Sequence, residues 1–165
     1  MKNQNNKSYS STMVQAAMIA ALYVVLTFIA NAFGLANYAV QVRFSEALTI
    51  LPYFTPAAIP GLFIGCLLSN VLTGCALPDI IFGSLATLIG AIFTYKLRAH
   101  KWLASIPPII ANAVIVPFVL LYAYGVRPLW FSFVTVTAGE IISCGVLGML
   151  LLLTLEKYRG VIFRE

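Results

Sequence analysis

The chain has 165 residues, of which 61% are apolar or aromatic and 9% are charged, and its mean hydropathy is +0.96. Soluble domains carry about one-quarter charged residues, so this composition excludes a water-soluble globular enzyme and makes a lipid bilayer the expected solvent. The net charge of +5 raises nucleic acid as a partner, but the basic residues sit at the ends of hydrophobic segments and form no continuous polar face, so no nucleic-acid partner is expected.

Met1 to Thr12 is a polar tail carrying Lys2 and Lys7, and the apolar run from Met13 to Gly34 is the first span. Ala30-Asn31-Ala32 has the small-residue spacing of a signal-peptidase site, but the run is long for a signal core and further spans follow, so an uncleaved helix is expected. A mixed loop, Leu35 to Phe44, leads to Ser45 to Tyr53, which is apolar but too short to cross a bilayer as a straight helix. Pro52, Pro56 and Pro60 punctuate this region. Further apolar stretches run from Ala57 to Thr73, Ile80 to Tyr95, Trp102 to Tyr124 and Leu129 to Leu155.

Positive charge decides whether the short second segment crosses. If it does, the tail, the loop Lys96-Leu97-Arg98-Ala99-His100-Lys101 and the C-terminal Lys157, Arg159 and Arg164 share one side, opposite Arg43 and Arg127. If it does not, that loop lands across the membrane from the N-terminal lysines. Six spans obey the positive-inside rule and five violate it. The expected fold class is all-α: a polytopic membrane protein of six transmembrane helices, with a short or broken second helix and both termini cytoplasmic. Residues 1–12 form the cytoplasmic tail and 13–165 a single membrane domain.

The sequence has no Walker-type phosphate loop, HExxH or GxSxG motif, and its single histidine, His100, lies in the basic loop. Cys66, Cys75 and Cys144 lie far apart without CxxC or paired-histidine spacing, so no metal or redox centre is expected. An ionisable group in hydrocarbon is costly and marks a site or a pair, which singles out Arg43, Glu46, Asp79 and Glu140. Glu140 is the carboxylate deepest within a span, and Thr137 and Ser143, at i−3 and i+3, extend its face into a polar stripe directed at the bundle interior. Arg43 and Glu46 are spaced to pair across one helical turn, as an entrance cap or as part of a site. Asp79 follows Pro78 and reads as a helix N-terminal acid or a ligand carboxylate.

Asn70 and Asn112 can each donate and accept, as heterocycle recognition requires and as hydrogen bonds between helices equally require. Tyr38, Phe44, Tyr122, Tyr124, Trp130 and Phe131 suit either stacking on a flat ligand or an interfacial aromatic belt. Small residues four apart, Ala16 with Ala20, Ala17 with Ala21, Gly61 with Gly65 and Ser69, and Gly83 with Thr87 and Ala91, permit close helix approach within the bundle or against another subunit.

The stretch Gln41-Val42-Arg43-Phe44-Ser45-Glu46-Ala47-Leu48-Thr49-Ile50-Leu51-Pro52-Tyr53-Phe54-Thr55-Pro56, with Ala58 to Cys66 and Asp79 to Ala91, resembles the queuosine-precursor transporter family (QueT-type). These proteins are substrate-binding S components of energy-coupling factor (ECF) transporters, and the resemblance extends from the first span to the end of the sixth. It implies a substrate-binding domain of six helices in a bacterial plasma membrane that binds no cofactor itself. ATP would be used by two partner ATPase subunits, joined through a transmembrane coupling subunit, and the substrate would be a scavenged 7-deazaguanine precursor of queuosine. The resemblance carries Ala16 with Ala20, and Ala17 with Ala21, to the coupling-subunit interface, and gives weight to Tyr38, Gln41, Arg43 and Glu46 beneath the first external loop.

A deazaguanine presents amino and ring N–H donors that one carboxylate accepts bidentately. Glu140 is the first expectation for that carboxylate and Glu46 the second, with Asn70, Asp79 and Asn112 for the remaining polar edge and Trp130 or Phe131 for stacking. Other readings stand beside this one. Fold does not fix ligand, so an S component for a different vitamin fits the same features. A membrane-embedded enzyme would use Glu140 and Asp79 as acid and base, and in a scaffold subunit the polar residues would only hold helices together.

Overall fold

Hydrocarbon offers no partner to a backbone N–H or C=O, so a chain of this composition satisfies them within helices. In the computed structural model every regular element among the described residues is helical. The structure describes residues 2–34 and 42–162, with side chains for 9–34 and 42–160. Helix α1 (Lys2–Ala32) continues the polar tail without a break into the first apolar run. A 3-10 segment (Phe44–Tyr53), α2 (Ala58–Leu72), α3 (Leu77–Lys96), a 3-10 turn (Lys101–Leu103) and α4 (Ile106–Tyr124) follow. The final pass is one rod in three parts, α5 (Leu129–Glu140), a π-helical stretch (Ile141–Gly148) and α6 (Met149–Lys157), and α7 (Arg159–Ile162) comes after it.

Tyr9–Ala32, Leu77–Lys96, Lys101–Tyr124 and Leu129–Lys157 are long and apolar enough to cross a membrane, and α2 is apolar but shorter. Their outward faces carry Phe28, Phe82, Val114, Val134 and Leu150, all exposed from the protein interior, as a lipid-facing surface requires. The chain is an all-helical polytopic membrane protein.

The short second segment lies at the centre of the bundle, enclosed by α1, α2, α3, α6 and the π-helical stretch. Ser45, Thr49 and Ile50 are completely buried there, and Glu46 is 2% exposed. Irregular backbone is tolerated at membrane depth where protein surrounds it. Its departure from α geometry has local causes. The Glu46 carbonyl accepts from the Thr49 hydroxyl at 2.6 Å and the Cys144 thiol at 3.4 Å, which compete with an i+4 N–H, and Pro52 has no N–H to give.

Side-chain bonds fix which ends lie together. Thr55 donates to Gln15 of α1 at 3.1 Å, Tyr53 donates to Glu156 at 3.4 Å, and Lys101 forms an ion pair with Glu156 at 3.3 Å. The N-terminal half of α1, the end of the 3-10 segment, the basic α3–α4 loop and the end of α6 therefore share one end of the bundle. From that end the 3-10 segment reaches only to mid-bundle, where the Arg43 N–H donates to the Ser143 hydroxyl at 3.2 Å. The Lys101–Glu156 pair is 39% and 33% exposed, so Lys101→Ala is expected to lower stability by at most about 1 kcal/mol, read as the midpoint of thermal unfolding in detergent.

Helices α1 and α2 approach closely enough that a Cβ at Gly61 would lie 2.7 Å from the Ala16 carbonyl oxygen, and one at Gly65 would lie 3.0 Å from the Ala20 Cα. On this face Ala20 is buried and Ala16 half-buried against α2 of the same chain. Ala17 and Ala21 point outward and remain available to another subunit.

Candidate functional site

Two glycines shape the end of the bundle opposite the basic loop. Gly74 closes α2 in a left-handed conformation (φ +73°), and the N–H groups of Gly74 and Cys75 return to Val71 and Asn70 at 3.1 and 3.0 Å, the Schellman arrangement. Gly125 (φ +67°) ends α4. Helix α3 then restarts with Pro78 near its beginning and Asp79 in its first turn. These closures bring three polar side chains together. The Tyr124 hydroxyl accepts from the Ala76 N–H at 3.0 Å and donates to Asp79 Oδ2 at 3.1 Å, and the Asn70 amide donates to the Asp79 carbonyl at 3.4 Å.

Between these helix ends and α1 lies a cavity of about 370 Å³, lined by Thr27, Ala30, Asn31, Arg43, Asn70, Thr73, Gly74, Cys75, Asp79, Leu120, Tyr124 and Val126. That volume is within the range of small-molecule sites. Deeper in the bundle is a chamber of about 20 Å³, lined by Arg43, Glu46, Gly83, Thr87, Asn112, Val116, Val136 and Glu140, with room for about one water molecule. Arg43 borders both.

The deep chamber is built on Glu46. The Tyr23 hydroxyl donates to its Oε1, and the Asn112 amide donates to Oε2 at 3.5 Å. Glu140, 8% exposed, accepts from the Cys144 thiol at 3.1 Å. The donor atoms of Glu46, Glu140 and Cys144 lie within 4.8 Å of one another, a set able to hold a small cation. The thiol already bridges Glu140 to the Glu46 carbonyl, so the cluster also closes without an ion. Among the described residues Arg43 comes within ion-pair distance of no carboxylate.

The site differs from the sequence reading in several particulars. The i, i+3 pairing of Arg43 with Glu46 does not form, because Tyr23 and Asn112 take the carboxylate. Glu140 and Glu46, the leading expectations, line the small chamber together with Asn112, whereas Asp79 and Asn70 line the larger cavity. Trp130 and Phe131 are 66% and 38% exposed, meet edge-to-face with each other and line neither cavity. Tyr124 is the aromatic residue that reaches the larger cavity. Ser143 serves the Arg43 backbone rather than the Glu140 carboxyl. Tyr38 and Gln41 fall outside the described residues.

Sequence reasoning missed Tyr23, Thr27 and Asn31. Their signal was present: Ala16, Ala20, Tyr23, Thr27 and Asn31 repeat at intervals of three and four, so the two polar residues and the asparagine continue the close-packing alanine face of α1.

Over 83 residues the chain is 36% identical to the queuosine precursor transporter QueT of Lactococcus lactis subsp. cremoris (strain MG1363). The matched stretch is 50% of this chain and 48% of that protein, so it spans about half the length of the curated relative. No solved structure matches the chain. The QueT transporter family matches residues 13–157, from the first apolar run to the last residue of α6, and the chain belongs to that family.

Proposed function

We propose that this chain is the substrate-capture subunit of an ECF-type importer in a bacterial plasma membrane, binding a 7-deazaguanine precursor of queuosine outside and delivering it to the cytoplasm. The observation that carries this reading is the 370 Å³ cavity at the end opposite the basic loop. With the basic end cytoplasmic, the cavity opens outward. Its lining supplies a cation at Arg43, a carboxylate at Asp79, an amide at Asn70 and a hydroxyl at Tyr124, the mixed donors and acceptors that a polar heterocycle needs to leave water without losing hydrogen bonds.

No bond of the ligand is made or broken. Asp79 is held by Tyr124 and by the turn that starts α3, so it presents its carboxylate at little reorganisation cost. A coupling subunit and two ATPases would supply the energy for release inside, with the outward face of Ala17 and Ala21 as the docking surface on α1. The curated relative's name, a queuosine precursor transporter, supports the substrate class.

The test is a titration of the purified protein in detergent with 7-deazaguanine precursors and guanine. Asp79→Asn is expected to weaken binding about tenfold or more, the worth of a hydrogen bond to a charged group, with little change in unfolding midpoint. Absence of binding by the wild type to every deazaguanine tested removes the substrate assignment, and uptake sustained by this chain without ATPase subunits removes the importer assignment.

A further inference from the structure

The basic end of the bundle carries more positive charge than its own acids neutralise. Lys96 ends α3, Arg98 and Lys101 follow in the α3–α4 loop, and Lys157 and Arg159 stand at the end of the final rod. Among the described residues Glu156 is the one acidic side chain at this end. It is already occupied, pairing with Lys101 at 3.3 Å and accepting from the Tyr53 hydroxyl at 3.4 Å. Lys96, Arg98, Lys157 and Arg159 are exposed and make no ion pair among the described residues.

These cations share a setting, because each lies over an aromatic ring. Lys96 Nζ is 5.3 Å from the centre of the Phe93 ring, and Arg98 Cζ is 4.2 Å from that of Tyr95. Lys101 Nζ is 5.6 Å from the Trp102 ring, Lys157 Nζ is 5.9 Å from Tyr158, and Arg159 Cζ is 5.9 Å from Tyr53. A ring face attracts a cation and leaves its charge in place. Phe93, Trp102 and Tyr158 are 49%, 66% and 49% exposed, and they sit where three apolar passes end or begin. Rings at such places lie at headgroup depth in a bilayer, so the cations beside them lie at the depth of the lipid phosphates. The loop and the rod end form one continuous surface, because Arg159 covers Tyr53, Tyr53 meets Glu156, and Glu156 meets Lys101.

We propose that this surface binds an anionic phospholipid, whose headgroup phosphate lies between the α3–α4 loop and the end of α6. The phosphate supplies the negative charge that Lys96, Arg98, Lys157 and Arg159 lack, and the acyl chains cover the exposed rings. A lipid satisfies both halves of the surface at once, which a purely acidic partner does not. The bound headgroup adds a second tie between the loop and the rod beside the Lys101–Glu156 pair.

The test uses the full chain in nanodiscs of phosphatidylcholine with and without phosphatidylglycerol. In wild type the anionic lipid is expected to raise the midpoint of thermal unfolding by about 3 °C or more at low salt, and concentrated sodium chloride is expected to remove most of that gain. The combined variant Lys96→Gln, Arg98→Gln, Lys157→Gln and Arg159→Gln is expected to lose most of it. Arg127→Gln, which removes a cation from the turn between α4 and α5 at the opposite end, is expected to keep it. If the four changes together prevent folding, Lys96→Gln with Arg98→Gln, and Lys157→Gln with Arg159→Gln, are each expected to lose about half. An equal gain in wild type and in the combined or paired variants overturns the proposal. No gain in wild type overturns it in favour of an acidic protein partner, and an equal rise from inorganic phosphate in plain phosphatidylcholine discs overturns it in favour of a free anion.

Discussion

Glu46→Ala is expected to destabilise the protein by about 3–5 kcal/mol, the range for removing one member of a buried polar or ionic network, and to abolish ligand binding. The carboxylate accepts from Tyr23 of α1 and Asn112 of α4, so its loss leaves two buried donors unsatisfied on two different helices. It also sits in the segment that α1, α2, α3, α6 and the π-helical stretch enclose, where truncation leaves a cavity in the middle of the bundle. Glu46→Gln keeps the shape and an acceptor for Tyr23 but turns a donor into the chamber, so it should fold with a smaller loss and still fail to bind. Thermal unfolding in detergent, read with and without ligand, separates these effects. A Glu46→Ala protein as stable as wild type would remove Glu46 as the organising group of the bundle.

The second large effect is expected at Gly65. A Cβ there would lie 2.7 Å from the Tyr23 Cβ and 3.0 Å from the Ala20 Cα, and neither atom can retreat unless α1 moves as a body. Displacing α1 withdraws Tyr23 from Glu46 and Thr27 from Ser45, which it meets at 2.9 Å. Gly65→Ala is expected to cost about 1–3 kcal/mol, as overpacking does, and Gly65→Leu to prevent recovery of folded protein. Size-exclusion profiles in detergent report both. A monodisperse Gly65→Leu protein with the wild-type unfolding midpoint would mean that α1 and α2 do not need this contact.

The apolar runs, the basic end and the faces that pack were legible because hydropathy, charge placement and the three-and-four spacing of small residues are local properties. Depth and partnership were not. Asp79 reads from sequence as an ordinary first-turn acid, and it becomes a cavity residue only because Tyr124, 45 positions away, arrives beside it. Glu140 reads from sequence as inward-facing, but its hydrogen-bond partner, Cys144, is an apolar-looking residue on its own rod. The spacing of Arg43 and Glu46 suggested a helical pair, and it missed that Tyr23 and Asn112 from other helices occupy the carboxylate first.

The winding of the second segment acts as a ruler. Ten residues at the rise of a 3-10 helix cover about 20 Å, against about 15 Å for the same residues wound as α. One end of that length is fixed where Tyr53 meets Glu156, and the other is where Ser143 holds the Arg43 N–H. Rewinding the segment as α would draw Arg43 about 5 Å toward the basic end of the bundle, away from Asp79. Helical pitch, and not the number of residues, therefore sets the depth in the bilayer at which this protein holds its positive charge.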